Sequence, residues 1–116
     1  MPFDVQNSTV RGHPVLGVRG ELDLLTAPEL AEKVDQALAG KPPLLVVDLT
    51  ETTFIDSSGA RQVARAARAA GRVGTAVQVV CPPGNRPVRL VIDLLDLAAL
   101  VPMLPSPDLI GRDSRP

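Results

Sequence analysis

The sequence predicts an α/β fold: one domain with a mostly parallel mixed sheet of about five strands, an opening antiparallel hairpin and three main helices. Three observations predict it. The run Leu44 to Leu49 (LLVVDL) is almost continuously apolar, as expected of a strand buried on both faces. Segments of strand character alternate along the chain with segments whose apolar residues recur at helical spacing. Only Phe3 and Phe54 are aromatic in a chain that is 45% hydrophobic, so Val, Leu, Ile and Ala must fill the core. That favours an aliphatic sheet covered by helices.

Each element has its own local signal. Phe3 and Val5 alternate with polar residues, Arg11-Gly12-His13 reads as a turn, and Pro14 to Arg19 (PVLGVR) reads as the second strand of a hairpin. Thr26 and Glu29 have the spacing of a capping box, with Leu25 and Leu30 as a hydrophobic staple. Leu30, Val34, Ala37 and Leu38 share one face of the helix that follows, with Gly40 as its C-cap and Pro42-Pro43 preventing continuation. After the central strand come Glu51 to Ile55, the polar cluster Asp56-Ser57-Ser58-Gly59, and a second helix to about Ala70. Its small face is Ala60, Val63, Ala64 and Ala67. Thr75 to Val80 is the next strand. Asn85 caps a third helix with Pro87 in its first turn and Val88, Val91, Ile92 and Leu95 as its stripe. Val101 to Leu104 is a short last strand. The domain is therefore expected over 1–104, with 105–116 a loose tail broken by Pro105 and Pro107.

Composition narrows the function. The formal net charge is −1 and there is no Trp or Tyr, which argues against general nucleic-acid affinity and against stacking on single-stranded bases. Met1 to Val10 has neither the basic start nor the apolar stretch of a signal peptide, and no apolar run approaches the roughly 18 residues of a membrane span. The single Cys81 has no internal partner, so a reducing, cytoplasmic location is expected. It reads as a structural thiol. A redox-sensor role would require a disulfide between molecules. His13 is the lone histidine and no G-x-S-x-G is present. Neither a hydrolase triad nor a metal site is expected, and no catalytic residue is assigned.

The candidate site is the helix that begins at Asp56-Ser57-Ser58-Gly59. In open α/β sheets functional groups collect where strands end and helices begin, and the first amides of a helix favour an anion. A phosphoryl group on Ser58 would bring about −1.5 to −2 charges to that end, beside Asp56. Asp and Ser are also the usual N-caps, so capping is the local alternative. Arg61, Arg65, Arg68 and Arg72 form a basic edge. It reads as a solvated helix face or as a surface for an acidic partner, with Arg61 in reach of a phosphorylated Ser58.

The stretch DLTETTFIDSSGARQV (Asp48 to Val63), with GELDLLTAPEL (Gly20 to Leu30) and the later VRLVIDL helix (Val88 to Leu94), resembles STAS-domain proteins, in particular bacterial anti-sigma factor antagonists. The resemblance covers roughly Phe3 to Leu104. It implies a non-enzymatic protein that binds an anti-sigma factor with serine kinase activity and so releases a sigma factor. It implies that the kinase phosphorylates Ser58, which breaks the complex, and that a PP2C-type phosphatase restores it. Carried over by position, Asp56, Ser57 and Gly59 shape the docking loop and Asp23 lies nearby. The chain itself needs no cofactor, since ATP and Mg²⁺ belong to the kinase. Ala60 and Arg61 stand where the family usually has a bulky apolar residue and then often Gly, which bears on partner identity. Two other roles fit the same family: an accessory subunit binding the ATPase of a membrane transporter without phosphorylation, and an adaptor in a larger stress-sensing complex.

Overall fold

The computed structural model describes residues 2–112. The chain runs β1 (Asp4–Val10), β2 (His13–Leu22), α1 (Ala27–Leu38), β3 (Leu44–Asp48), β4 (Thr52–Ile55), α2 (Ser57–Arg72), β5 (Ala76–Val80), α3 (Arg86–Leu94) and β6 (Met103–Leu104). The sheet order is β1-β2-β3-β5-β6, with β4 on β2. Among the described residues only the β1–β2 pair is antiparallel, and every other pair is parallel.

The opening hairpin turns on Arg11 and Gly12, whose φ angles are 52° and 80°. A two-residue hairpin loop of this kind needs both central residues left-handed, which Gly12 meets without cost and Arg11 does not. His13 is therefore not part of the turn, as the sequence suggested, but pairs with Val10 as the first residue of β2. Pro14 is tolerated because the pairing of β2 with β3 starts only at Val15.

β2 serves two partners in succession. Its first half, Val15 to Gly17, pairs with β3, and its end, Gly20 to Leu22, pairs with β4. The register shifts between Gly20 and Glu21. Gly20 has φ 93°, and a Cβ there would lie 3.2 Å from the Phe3 Cα, so the bend calls for glycine. This extra strand, Thr52–Ile55, is the element that sequence periodicity did not single out. At four residues it is too short for a legible pattern.

Alternation on the strands divides the apolar residues between two faces. Leu16, Val18, Leu45, Val47, Val77 and Val79 enter the main core with the apolar stripes of all three helices. Val15, Leu44, Val46 and Val80 form a smaller cluster on the opposite face. That second face is closed by the segment after β6, contrary to the expectation of a loose tail. Pro107–Leu109 forms a single 3-10 turn, and Ile110 is fully buried against the second cluster. Arg11 Nε donates to the Ile110 carbonyl at 3.2 Å, and Gly111 N donates to Gln78 Oε1 at 3.1 Å. The prolines shape a turn, and the uncovered valines supply the reason to dock it. Residues 113–116 of the expected tail lie outside the described residues.

Two helix ends also differ from expectation. The left-handed residue that closes α1 is Lys41, at φ 48°, rather than Gly40. Asn85 does not cap α3 with its side chain. Its Nδ2 donates to the carbonyls of Leu49 (3.0 Å) and Thr52 (2.8 Å), stitching the start of α3 to the loop between β3 and β4.

Candidate functional site

The site forms where β2 and β4 end side by side and α2 begins. Leu22 and Ile55 are in register, and Asp56 N donates to the Leu22 carbonyl at 3.3 Å. Asp56 is extended, with φ −111° and ψ −174°, and its carboxylate accepts from Gly59 N at 2.9 Å. That satisfies one of the orphan amides of the first turn. The Asp-capping reading of this segment thus holds for Asp56, and it leaves Ser57 and Ser58 unneeded as caps.

Gly59 is fixed by packing. A Cβ at this position would lie 2.3 Å from the Leu22 carbonyl oxygen and 2.9 Å from Ile55 Cγ1. The close approach of helix to strand ends requires the missing side chain. Ser57 is exposed and Ser58 half-buried. Among the described residues neither hydroxyl takes part in a side-chain hydrogen bond. Two serine hydroxyls therefore stand at the positive end of a 16-residue helix without internal work.

The neighbouring loop is built differently from the sequence expectation. Thr26 has helical φ and ψ and makes no side-chain cap, and Leu25 is 87% exposed. Neither the capping box nor the staple forms. Instead Asp23 Oδ1 accepts from the amides of Leu25 (3.0 Å) and Thr26 (3.1 Å). The Thr26 hydroxyl donates to the Glu21 carbonyl at 2.7 Å and accepts from Asp23 N at 2.9 Å. The Asp-x-x-Thr spacing is that of a side-chain-stabilised turn; it takes the Thr26 amide that the box would have used, while the Glu29 amide donates to the Thr26 carbonyl at 3.0 Å. Asp23 is consequently occupied inside its loop, and what the loop presents is Leu24, 69% exposed, and Leu25. Sequence reasoning assigned Leu25 to the staple and passed over Leu24. The signal for both was two adjacent leucines between a turn-forming Asp and Thr.

The structure thus brings Asp23, Asp56, Ser57, Ser58 and Gly59 to one rim, joined through Leu22. Phe54, 44% exposed, lies opposite Glu21 at the same strand ends. Arg61 is exposed, about one turn beyond Ser58. Of the four arginines on α2, Arg65 pairs with Asp35 of α1 at 3.8 Å. The Cys81 thiol is fully buried at the end of β5. Burial pushes its pKa up, opposed by the nearby Arg89 guanidinium. Among the described residues no three His, Cys, Asp or Glu side chains gather as a metal site. No helix there is long and apolar enough to cross a membrane.

A mixed sheet with an antiparallel hairpin at its edge, three helices on one face and a serine-bearing helix start at the strand ends defines a class of small α/β interaction domains. Residues 5–104 match the family model described as "Mlab, STAS domain", and the chain belongs to the STAS domain family. Among its curated relatives is the anti-sigma-F factor antagonist RsfB of Mycobacterium tuberculosis, 36% identical over 61 residues, 53% of this chain and 50% of RsfB. The chain spans about half the length of the curated relatives it matches. A crystal structure of an anti-sigma factor antagonist from Mycobacterium paratuberculosis superposes with a TM-score of 0.82 at 29% identity, covering 92% of this chain and 89% of that one. SpoIIAA of Bacillus in its phosphorylated form gives a TM-score of 0.67 at 21% identity over 96% and 98% of the two chains. At that identity the likeness concerns the fold alone.

Proposed function

We propose that the chain is a cytoplasmic anti-sigma factor antagonist. In this reading it binds an anti-sigma factor that is also a serine kinase, and so frees a sigma factor. The kinase transfers a phosphoryl group from ATP to the Ser58 hydroxyl, which ends the complex. A PP2C-type phosphatase removes it. The observation that carries the reading is the pair of idle hydroxyls, Ser57 and Ser58, on a rim whose two carboxylates are occupied. Asp56 holds the Gly59 amide and Asp23 holds its own loop, so the serines are the groups free to change, and the resemblance to anti-sigma factor antagonists assigns the phosphoryl group to the second of them, Ser58.

The physics of such a switch is local. The free amides of the first turn favour an added anion, so phosphorylation need not unfold the domain. The cost falls on the partner. Leu24, Leu25 and Phe54 offer exposed apolar contacts around the serine, and a dianion among them must be desolvated if the interface closes. Asp56 adds like charge. The family departures fall on both sides of this surface. Ala60 is 1% exposed and belongs to helix packing, whereas Arg61 is exposed and available to discriminate between partners.

The test is affinity capture from native extract with wild-type, Ser58→Ala and Ser58→Glu baits, read by mass spectrometry. An anti-sigma kinase recovered by Ser58→Ala and lost by at least about tenfold with Ser58→Glu is the expected result. Equal recovery by both variants would remove the switch. Recovery of a transporter ATPase indifferent to residue 58 would replace the reading with the accessory-subunit role.

A further inference from the structure

A second surface lies on the opposite edge of α2 from its contact with α1. Between α2 and the 3-10 turn Leu97–Ala99 runs a groove of about 290 Å³. Its floor is Ala60 and Ala64, two small side chains one helical turn apart. Its far wall is Leu95, Leu97 and Leu100, and Arg61 and Arg68 stand along the near rim. Leu97 is buried, but Leu95 is 48% and Leu100 60% exposed, with Leu94 beyond them at 73%. Exposed leucines gathered on a concave surface are unusual for a small domain and mark contact sites.

The charges on this groove are one-sided. No carboxylate lines it. Arg61 and Arg68 take part in no ion pair among the described residues, while Arg65 between them is turned to Asp35 on the α1 side. Arg61 and Arg68 are seven residues apart on one helix face, about 10.5 Å along its axis. An apolar trough bordered by two guanidiniums at that interval has a natural complement. It is an amphipathic helix with leucine-like side chains at i, i+3 or i+4 and carboxylates two turns apart. A lipid surface fits less well, because the leucines line a trough rather than crown a convex face.

We propose that the groove between α2 and Leu97–Ala99 docks an acidic amphipathic helix of a protein partner. The proposal rests on the reading of this chain as a protein-binding module and adds the chemistry of the partner segment. It places a contact beside the Ser58 rim that shares Arg61 with it, while Arg68 and the leucine wall belong to the groove alone. Arg61 and Arg68 select the acidic segment by charge, and the leucine wall holds it by burial. The alanine floor lets the incoming helix approach closely.

The experiment is selection from a displayed library of helical peptides with randomised faces, using the full chain as bait, wild-type and Arg61→Glu/Arg68→Glu. The expected outcome is enrichment of peptides with net negative charge and apolar residues at i, i+3 or i+4. Their affinity should fall by at least about tenfold for the charge-reversed bait and fall again as salt is raised. The reversed bait should in turn enrich basic peptides. Circular dichroism establishes that the reversed bait is folded, and Leu100→Ser, with both arginines intact, should weaken the acidic peptides independently. Enrichment of basic or uncharged peptides by wild-type chain would overturn the proposal, as would affinity indifferent to residues 61 and 68. So would no enrichment at all, and co-sedimentation on phosphatidylglycerol vesicles in that case would assign the face to a membrane. No kinase or sigma-factor component enters this selection, so its failure leaves the Ser58 reading standing, and the reverse holds too.

Discussion

Single residues at the start of α2 carry sharply different burdens. Gly59 is there because a Cβ would collide with the Leu22 carbonyl. Gly59→Ala should therefore destabilise the fold by about 2–3 kcal/mol, read as a lowered urea midpoint. Gly71, in the last turn of the same helix, has open space where a Cβ would sit, with nothing within 4 Å, so Gly71→Ala should stabilise by up to about 1 kcal/mol. Opposite signs from one substitution type would separate close packing from helix propensity; like signs would show that α2 shifts to make room. Cys81 gives a pH prediction. Burial raises its thiol pKa in the fold. As pH climbs past the thiol's ordinary value, the unfolded chain therefore surrenders its proton first. Its contribution to stability is present below that value and is lost as pH rises through the folded one. Urea midpoints should decline between about pH 8 and 10 in wild type and more weakly in Cys81→Ala. Parallel declines would mean that other groups govern the alkaline limit.

At the scale of elements, the loop into α1 shows how one set of residues supports two structures. Thr26 and Glu29 have the spacing of a capping box, yet Thr26 commits its hydroxyl to Glu21 and Asp23. Asp23 already serves the Thr26 amide, and the Glu29 amide donates to the Thr26 carbonyl at 3.0 Å, so nothing remains for the box to do. Thr26→Ala should cost about 1 kcal/mol through the loop hydrogen bonds, and Glu29→Ala should stay within about 0.5 kcal/mol. Chemical denaturation of both variants checks this, and equal losses would restore the capping box. The same loop turns Leu24 and Leu25 outward, which gives the Ser58 rim its apolar border. Helix identity was legible here from the stripe Leu30, Val34 and Leu38, all buried. The start of the helix was not, because several hydrogen-bond schemes suit Asp, Leu, Leu and Thr, and the strand end at Glu21 selects among them.

At the scale of the molecule, the two faces of the sheet are covered by different means. Three helices close one face, and the other is closed over its apolar cluster by Ile110 on a short C-terminal segment. Ile110→Ala is expected to cost about 2–4 kcal/mol. Truncation after Leu104 should bare Val15, Val46 and Val80 and raise binding of an apolar dye. An unchanged midpoint and no added dye binding would mean that residues 105–112 contribute little to the fold. Prolines at 102, 105 and 107 suggested a tail without structure, but proline removes amide donors and leaves side-chain burial intact. A segment with one Ile to bury needs only a turn to deliver it.

Local signals in the sequence were enough for the fold class, the central strand and the helix faces, because periodicity and aliphatic content report burial directly. Asp56 to Gly59 stood out through the resemblance of Asp48 to Val63 to STAS-domain proteins, because locally a cap, two serines and a glycine read equally well as helix capping. Other features depended on contacts distant in sequence. The strand Thr52–Ile55 exists through its pairing with the end of β2. Asn85 serves the Leu49 and Thr52 carbonyls, and Ile110 answers valines from β2, β3 and β5. The groove beside Arg61 and Arg68 arises only when Leu95 and Leu100 are brought against α2. Such contacts are set by which surfaces remain uncovered after the local elements have formed, and only the tertiary structure decides that.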